Sequence, residues 1–324
     1  MKKSSKIFSQ INRLVGALKS GSPAARLSML TMSVGFFCRL IDKMIYCSLA
    51  IKEEEDGRIP TCLMIISPPR SGSTIVYQVV VRAIPCVYIS NLHSLFPNYA
   101  STYLLRKKLF GTNVDDLHNY YGHTSSLYDV NEGNEIIEAI FAGTPDQELI
   151  RKRFIKYAGM MRATTQYPLI FKNVRAYPYI ADLHKAVPEI IFLRIKRDPE
   201  QTIQSLVRAY HDLGSFHPIP KTLVNFKIND PIEFAVCQLL EIEREIDFQK
   251  EQIDHARWIE WWYKDFCSDP LPMIKDLAKN YFKVDLKHLC IDAIPKLKVS
   301  DRVKVKADEE TRISLLLQKH ICVR

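Results

Sequence analysis

Residues 67–74 read Ser-Pro-Pro-Arg-Ser-Gly-Ser-Thr, a short stretch with chemistry suited to holding an anion. Ser71, Ser73 and Thr74 offer hydroxyls. Gly72 lets the backbone come close, and Arg70 adds a fixed charge in a planar fork that matches phosphate or sulfate oxygens. A second group stands far downstream. Lys196-Arg197-Asp198-Pro199 is followed by Ser205, eight residues after Arg197. An Arg at a strand end and a Ser two turns into the next helix can meet on one phosphate. A triphosphate-hydrolysing loop needs GxxxxGK[ST]. Here Ser67 replaces the first Gly and Ser73 stands in place of the Lys, so that chemistry is disfavoured.

The elements around these residues fit that reading. Thr61 to Ser67 is a short, continuously apolar run, the pattern of a strand covered on both faces. Ser73 to Ile84 follows the loop as a helix, although its Val-rich stretch also suits a strand. Strand, turn and helix N-terminus together direct backbone N–H groups and the helix dipole at the loop. Further strands are expected at Cys86–Ile89, Leu169–Lys172, Glu189–Ile195 and Arg257–Trp262. Helices are expected at Pro178–Val187, from Pro199 to about His211 with Asp198 as N-cap, at Pro231–Ile253 and at Leu271–Phe282. Residues 90–165 carry few strand signals. Strands alternating with helices predict an α/β fold, one parallel sheet flanked by helices, with both loops at the carboxyl ends of the strands.

With these motifs in order, the sequence resembles the sulfotransferases that use 3′-phosphoadenosine 5′-phosphosulfate (PAPS), over roughly Ile59 to Phe282. The family's 5′-phosphosulfate loop has the form P[KR]SG[ST][ST], matched by Pro69 to Thr74. Its 3′-phosphate motif is an Arg and a Ser eight residues later, matched by Arg197 and Ser205. Tyr263-Lys264-Asp265-Phe266 is similar to the family's YEDL segment, whose Tyr lies near the adenine. The resemblance implies a P-loop-like domain at 57–324; residues 1–55 read as helical, a basic N-terminal helical segment at 1–56 ahead of that domain, and 90–165, with its few strand signals, reads as a helical insertion or lid. The resemblance also implies PAPS as co-substrate, held by Arg70, Ser71, Gly72, Ser73, Thr74, Arg197, Ser205 and Tyr263, and no metal. Lys172 resembles the lysine that family members set beside the sulfuryl group. For the general base two candidates stay open, His93 and Glu132, and a third residue is not excluded. Asn91 occupies the place of a Glu in relatives acting on protein tyrosine, and it cannot act as a base.

The Arg form of the loop, with His123-Thr124-Ser125 and Asn131-Glu132-Gly133, is closer in texture to carbohydrate and bacterial sulfotransferases. A carbohydrate or glycan is therefore the first acceptor expected, and a lipid-linked or small-metabolite hydroxyl the second. A small-molecule kinase and an inactive nucleotide-binding protein of the same fold are the alternatives.

Composition limits the remaining classes. With 47% hydrophobic and 25% charged residues, the bulk of the chain is globular. The 8 cysteines form no CxxC pair and no zinc spacing, which suits reduced thiols and a cytoplasmic setting. The net charge of +9 is uneven. Residues 1–26 hold Lys2, Lys3, Lys6, Arg13, Lys19 and Arg26 with no acidic residue, and Ile7, Phe8, Ile11, Leu14, Val15 and Leu18 recur at helical spacing. Such a segment can lie on an anionic membrane surface; packing on the domain, or a basic tail, is the other reading. The apolar stretch Leu27 to Ile51 is interrupted by Arg39, Asp42 and Lys43 and is too short where clean to span a bilayer. No clear signal-peptide cleavage site follows it. No basic patch interleaved with aromatics points to nucleic acid. Lys296, Lys298, Arg302, Lys304 and Lys306 form a late basic segment that either clamps the 3′-phosphate or is solvated charge.

Overall fold

The computed structural model describes residues 61–96, 126–141, 146–162, 167–298 and 305–322, with 34–35, 37–42, 44, 117, 119–120 and 123–124. Its centre is one five-stranded sheet in the order β2-β5-β1-β6-β7, and every neighbouring pair is parallel. The strands are β1 (Cys62–Ile66), β2 (Val87–Tyr88), β5 (Leu169–Lys172), β6 (Ile190–Lys196) and β7 (Trp258–Trp262). A small antiparallel pair, β3 (Asn119–Tyr120) and β4 (His123–Thr124), lies in the stretch where few strand signals were expected.

The central strands are continuously apolar because both sheet faces are covered. Cys62, Met64 and Ile66 of β1 pack with Phe171, Phe192 and Trp258 on one face. Helices α3 (Asn134–Phe141), α4 (Gln147–Arg162), α5 (Ile180–Ala186) and α7 (Pro231–Lys250) contribute to that side. Leu63 and Ile65 point the other way, to Ile170, Leu193 and Trp261. That face is covered by α1 (Ser73–Ala83), α8 (Tyr263–Ser268) and α9 (Pro270–Asp276). A third apolar cluster joins α6 (Pro199–Leu213), α7 and α10 (Ala307–Cys322) through Ile203, Leu206, Phe234, Leu239, Ile313 and Leu317.

Local signals explain the boundaries. The Asp198 side chain accepts from the Gln201 N–H at 2.9 Å, Pro199 opens α6, and Gly214 closes it at φ 70°. Asp230 caps α7 in the same way, its carboxylate accepting from the Ile232 N–H. Ser73–Ala83 is a helix, which resolves the helix-or-strand ambiguity there. The second strand is shorter than expected. The Pro178–Val187 helix begins with a 3-10 turn at Tyr177–Tyr179. The one expected at Leu271–Phe282 is α through Asp276 and then a π turn at Leu277–Tyr281. No disulfide forms among the described cysteines. Most of the 1–55 region expected to be helical lies outside the described residues, and those described between 34 and 44 are helical. Arg302 and Lys304 of the late basic segment also lie outside them.

Candidate active site

Connections from β1 run toward β2, whereas β6 continues to β7 on the other side, so the crevice opens where β1 and β6 adjoin. Both sequence motifs sit there. The β1 loop reaches α1 through Arg70 at φ 71° and Gly72 at φ 89°. A non-glycine residue in that region costs on the order of 1 kcal/mol and persists where its surroundings enforce it. The surroundings here are specific. Arg70 Nε donates to Ser205 Oγ at 2.9 Å, and Arg197 Nη1 donates to the Arg70 carbonyl at 3.0 Å. The loop and the β6–α6 junction, more than 120 residues apart in the chain, thus form one unit.

Tyr263, at the start of α8, completes that unit. The Arg197 guanidinium lies 5.0 Å from the centre of its ring, within cation–π range. A Cβ at position 72 would meet the ring at 2.3 Å, so the glycine is required both by its φ and by the space. The N-terminus of α1 has no side-chain cap and no acidic residue in its first turn. Ser67 Oγ and Ser71 Oγ are buried without a hydrogen-bond partner. Buried hydroxyls normally find partners, so these two are left with hydrogen-bonding capacity to offer.

Lys172 ends β5 beside this loop. Its side chain is only 3% exposed, and its Nζ donates to Thr74 Oγ1 at 3.1 Å and forms an ion pair with Glu132. Glu132 and the residues beside it are held in turn by a set of asparagines. Asn173 Nδ2 donates to the Glu132 carbonyl and to Asn134 Oδ1, both at 2.9 Å. Asn131 Oδ1 accepts from the Gly133 N–H at 2.8 Å, while its Nδ2 donates to Asn91 Oδ1 at 2.8 Å. Gly133, at φ 61°, packs where a Cβ would strike Ile89 at 2.7 Å. Asn91 in turn donates to Thr124 Oγ1 at 2.7 Å and to the Ser126 carbonyl at 2.7 Å. These asparagines were not among the expected site residues. The one local signal for them is the Asn-Glu-Gly turn itself, because Asn accepts readily from a backbone N–H two residues on.

His93 is placed differently. Its Nδ1 accepts from the Ser90 N–H at 3.0 Å, closing a capping box at the start of α2 (Asn91–Leu95). The ring is 3% exposed, and burial, opposed by the Ser90 hydrogen bond, pushes its pKa down to about 4. No described hydrogen bond links it to the loop, to Lys172 or to Glu132. His184 lies elsewhere, accepting from the Asp254 N–H.

The family model described as "Sulfotransferase family" matches residues 61–281, more than half of the chain. The chain belongs to the sulfotransferase family. Its fold agrees. A sulfotransferase from Mycobacterium avium is similar at a TM-score of 0.53 and 15% identity, covering 86% of this chain and 72% of that one. A sulfotransferase from Mycobacterium tuberculosis is similar at a TM-score of 0.53 and 11% identity, covering 94% of this chain and 92% of that one. A search of curated protein sequences gives no match. Membership makes the chain a sulfuryl-transfer enzyme and leaves the kinase alternative without support.

Proposed function

We propose that this sulfotransferase takes its sulfuryl group from PAPS and passes it to an acceptor hydroxyl or amine on a carbohydrate or glycan. The observation that carries the donor assignment is the joining of Arg70, Arg197, Ser205 and Tyr263 into one unit beside two unpartnered buried hydroxyls. Ser71, Gly72, Ser73 and Thr74 would hold the 5′-phosphosulfate at the α1 N-terminus. Arg197 and Ser205 would take the 3′-phosphate, and Tyr263 would border the adenine.

Sulfuryl transfer breaks the bond from sulfur to the phosphate oxygen and forms one from sulfur to the acceptor oxygen or nitrogen. Like phosphoryl transfer, it depends on in-line placement and on stabilising the leaving oxygen. Arg70 and Lys172 supply the positive charge for that oxygen. Glu132 accepts the acceptor's proton. It is favoured over His93 because it already touches Lys172, whereas His93 is closed into a helix cap. The 90–165 insertion brings in Glu132 and would border the acceptor. The carbohydrate assignment rests on the texture of the loop and of the 123–133 segment. The enzyme works in the cytoplasm, with its basic N-terminus in peripheral contact with anionic membrane.

Calorimetric titration with adenosine 3′,5′-bisphosphate tests the donor site. Arg197→Ala removes a charge-assisted contact worth roughly 1.5–3 kcal/mol, a loss of about tenfold to a hundredfold in affinity. Equal binding by both proteins overturns the assignment. Radiolabelled PAPS with carbohydrate and lipid extracts identifies the acceptor. Nucleotide binding with no transfer to any extract favours the inactive binding protein instead.

A further inference from the structure

The helical residues between 34 and 44 are amphipathic in the inverted sense. Gly35 and Asp42 are buried and Cys38 is half-buried, so small and polar residues face the protein. Val34, Phe37, Leu40, Ile41 and Met44 face outward, and Phe37 and Met44 are 66% and 63% exposed. At 3.6 residues per turn these five fall within about 120° of the circumference, a continuous apolar stripe. Large apolar side chains scattered singly over a surface need no explanation, but a contiguous stripe does. Among the described residues no helix is long and apolar enough to cross a membrane.

The charge of the adjoining chain indicates what covers the stripe. The 26 residues at the start of the chain, ending eight before Val34, carry six basic residues and no acidic one. Within the helix, exposed Arg39 adds another. A cationic segment running into an outward apolar stripe matches a bilayer surface, which offers anionic headgroups and acyl chains at adjacent depths. A protein partner would satisfy the apolar stripe without accounting for the basic segment that precedes it, whereas the acidic run Glu53 to Asp56 follows it only after Met44.

We propose that the 34–44 face is a membrane-docking surface that seats this enzyme in the interface of an anionic bilayer, with the basic segment as its electrostatic half. This deepens the peripheral-membrane reading by assigning the apolar contact to named side chains. It stands independently of the donor and acceptor assignments.

The test is co-sedimentation of the full-length chain with phosphatidylcholine vesicles, with and without a third phosphatidylglycerol. Variants are Leu40→Glu with Ile41→Glu, and separately the six N-terminal basic residues changed to Gln. Wild type is expected to bind only the anionic vesicles. Each variant set is expected to lower the partition coefficient at least about tenfold. Far-UV circular dichroism and the melting temperature should stay unchanged in both, showing that the folded domain is intact. Failure of wild type to bind anionic vesicles at low salt overturns the proposal. So does unchanged binding by the Leu40/Ile41 variant, which would leave the basic segment acting alone. A wild-type dimer in sedimentation velocity that the same variant dissociates would make a second copy the occupant and also overturn it.

Discussion

A lysine ammonium almost wholly removed from water has to be compensated, and Lys172 is compensated by Glu132 and Thr74. Lys172 also reaches Thr74 of the loop where, in the proposed reading, a donor's anionic oxygens arrive, so the resting ion pair would stand beside the reacting atoms. Changing Glu132→Gln keeps the shape and removes the proposed proton acceptor. Turnover is expected to fall roughly 10²–10⁴-fold while adenosine bisphosphate affinity holds. The variant also leaves Lys172 without its carboxylate, so its melting temperature should drop and partly recover when the nucleotide supplies an anion. Turnover near wild type would return the base to His93 or to a residue outside this cluster. The three asparagines matter at the same scale. They cannot move the proton, but they fix the backbone that presents the Glu132 carboxylate.

Two elements show how local geometry governs the site. The turn from β1 into α1 works only with a residue that tolerates φ 89° and leaves room for Tyr263. Gly72→Ala must either displace the ring or reshape the turn, and both disturb the seat of Arg197. Nucleotide binding measured by calorimetry should fall by at least about tenfold, with far-UV circular dichroism unchanged. Wild-type affinity would mean that the turn is not part of the nucleotide site. The second element is the capped start of α2. The His93 pKa is about 4 in the fold and near the ordinary ~6.5 when unfolded. Between those values the unfolded chain binds the extra proton, so stability is full above about pH 6.5 and is lost as pH falls toward 4. His93→Asn keeps a short acceptor for the Ser90 N–H and has no such titration. The drop in melting temperature between pH 7 and pH 5 should therefore shrink in this variant. An unchanged drop would show that acid sensitivity arises from other groups.

Over the whole molecule, what was legible in the sequence is what is local. The runs Cys62–Ile66, Leu169–Lys172 and Ile190–Lys196 announce buried strands because each must be apolar on both faces. Asp198, Pro199 and Pro231 mark helix starts for equally local reasons. Strand order was not legible, since it is decided by pairings of residues 66 to 128 positions apart. The structural roles of Asn91, Asn131 and Asn173 depend on partners 35 to 41 residues away in the chain. Helix α10 carries a weak sequence signal because few of its residues are buried, Ile313 and Leu317 chief among them, which makes a sparse apolar stripe.

The largest feature of this kind is the charge cluster between β6, β7 and α7. Arg194, 4% exposed, donates to Asp247 at 2.6 Å and to Glu260 at 3.4 Å, and pairs with Glu243. Glu260 also accepts from Trp258 Nε1 at 2.9 Å and from Lys250 at 3.1 Å. Burial opposes its ionisation, but those hydrogen bonds and the nearby Arg194 and Lys196 outweigh it and hold its pKa at about 2. Glu243 goes the other way, its carboxyl raised by burial despite Arg194. Arg194 thus ties the sheet to its longest covering helix, and three carboxylates depend on it. Removing one partner of a buried ionic cluster leaves charge uncompensated in a poor solvent. Arg194→Met should cost about 3–5 kcal/mol of unfolding free energy, read as a lower urea midpoint at constant slope. Adding Glu243→Gln removes the orphaned carboxylate whose ionisation burial already disfavours, and should restore part of that loss. A single variant within about 1 kcal/mol of wild type would place the tie between sheet and helix in apolar packing alone, since a surface pair contributes no more than that.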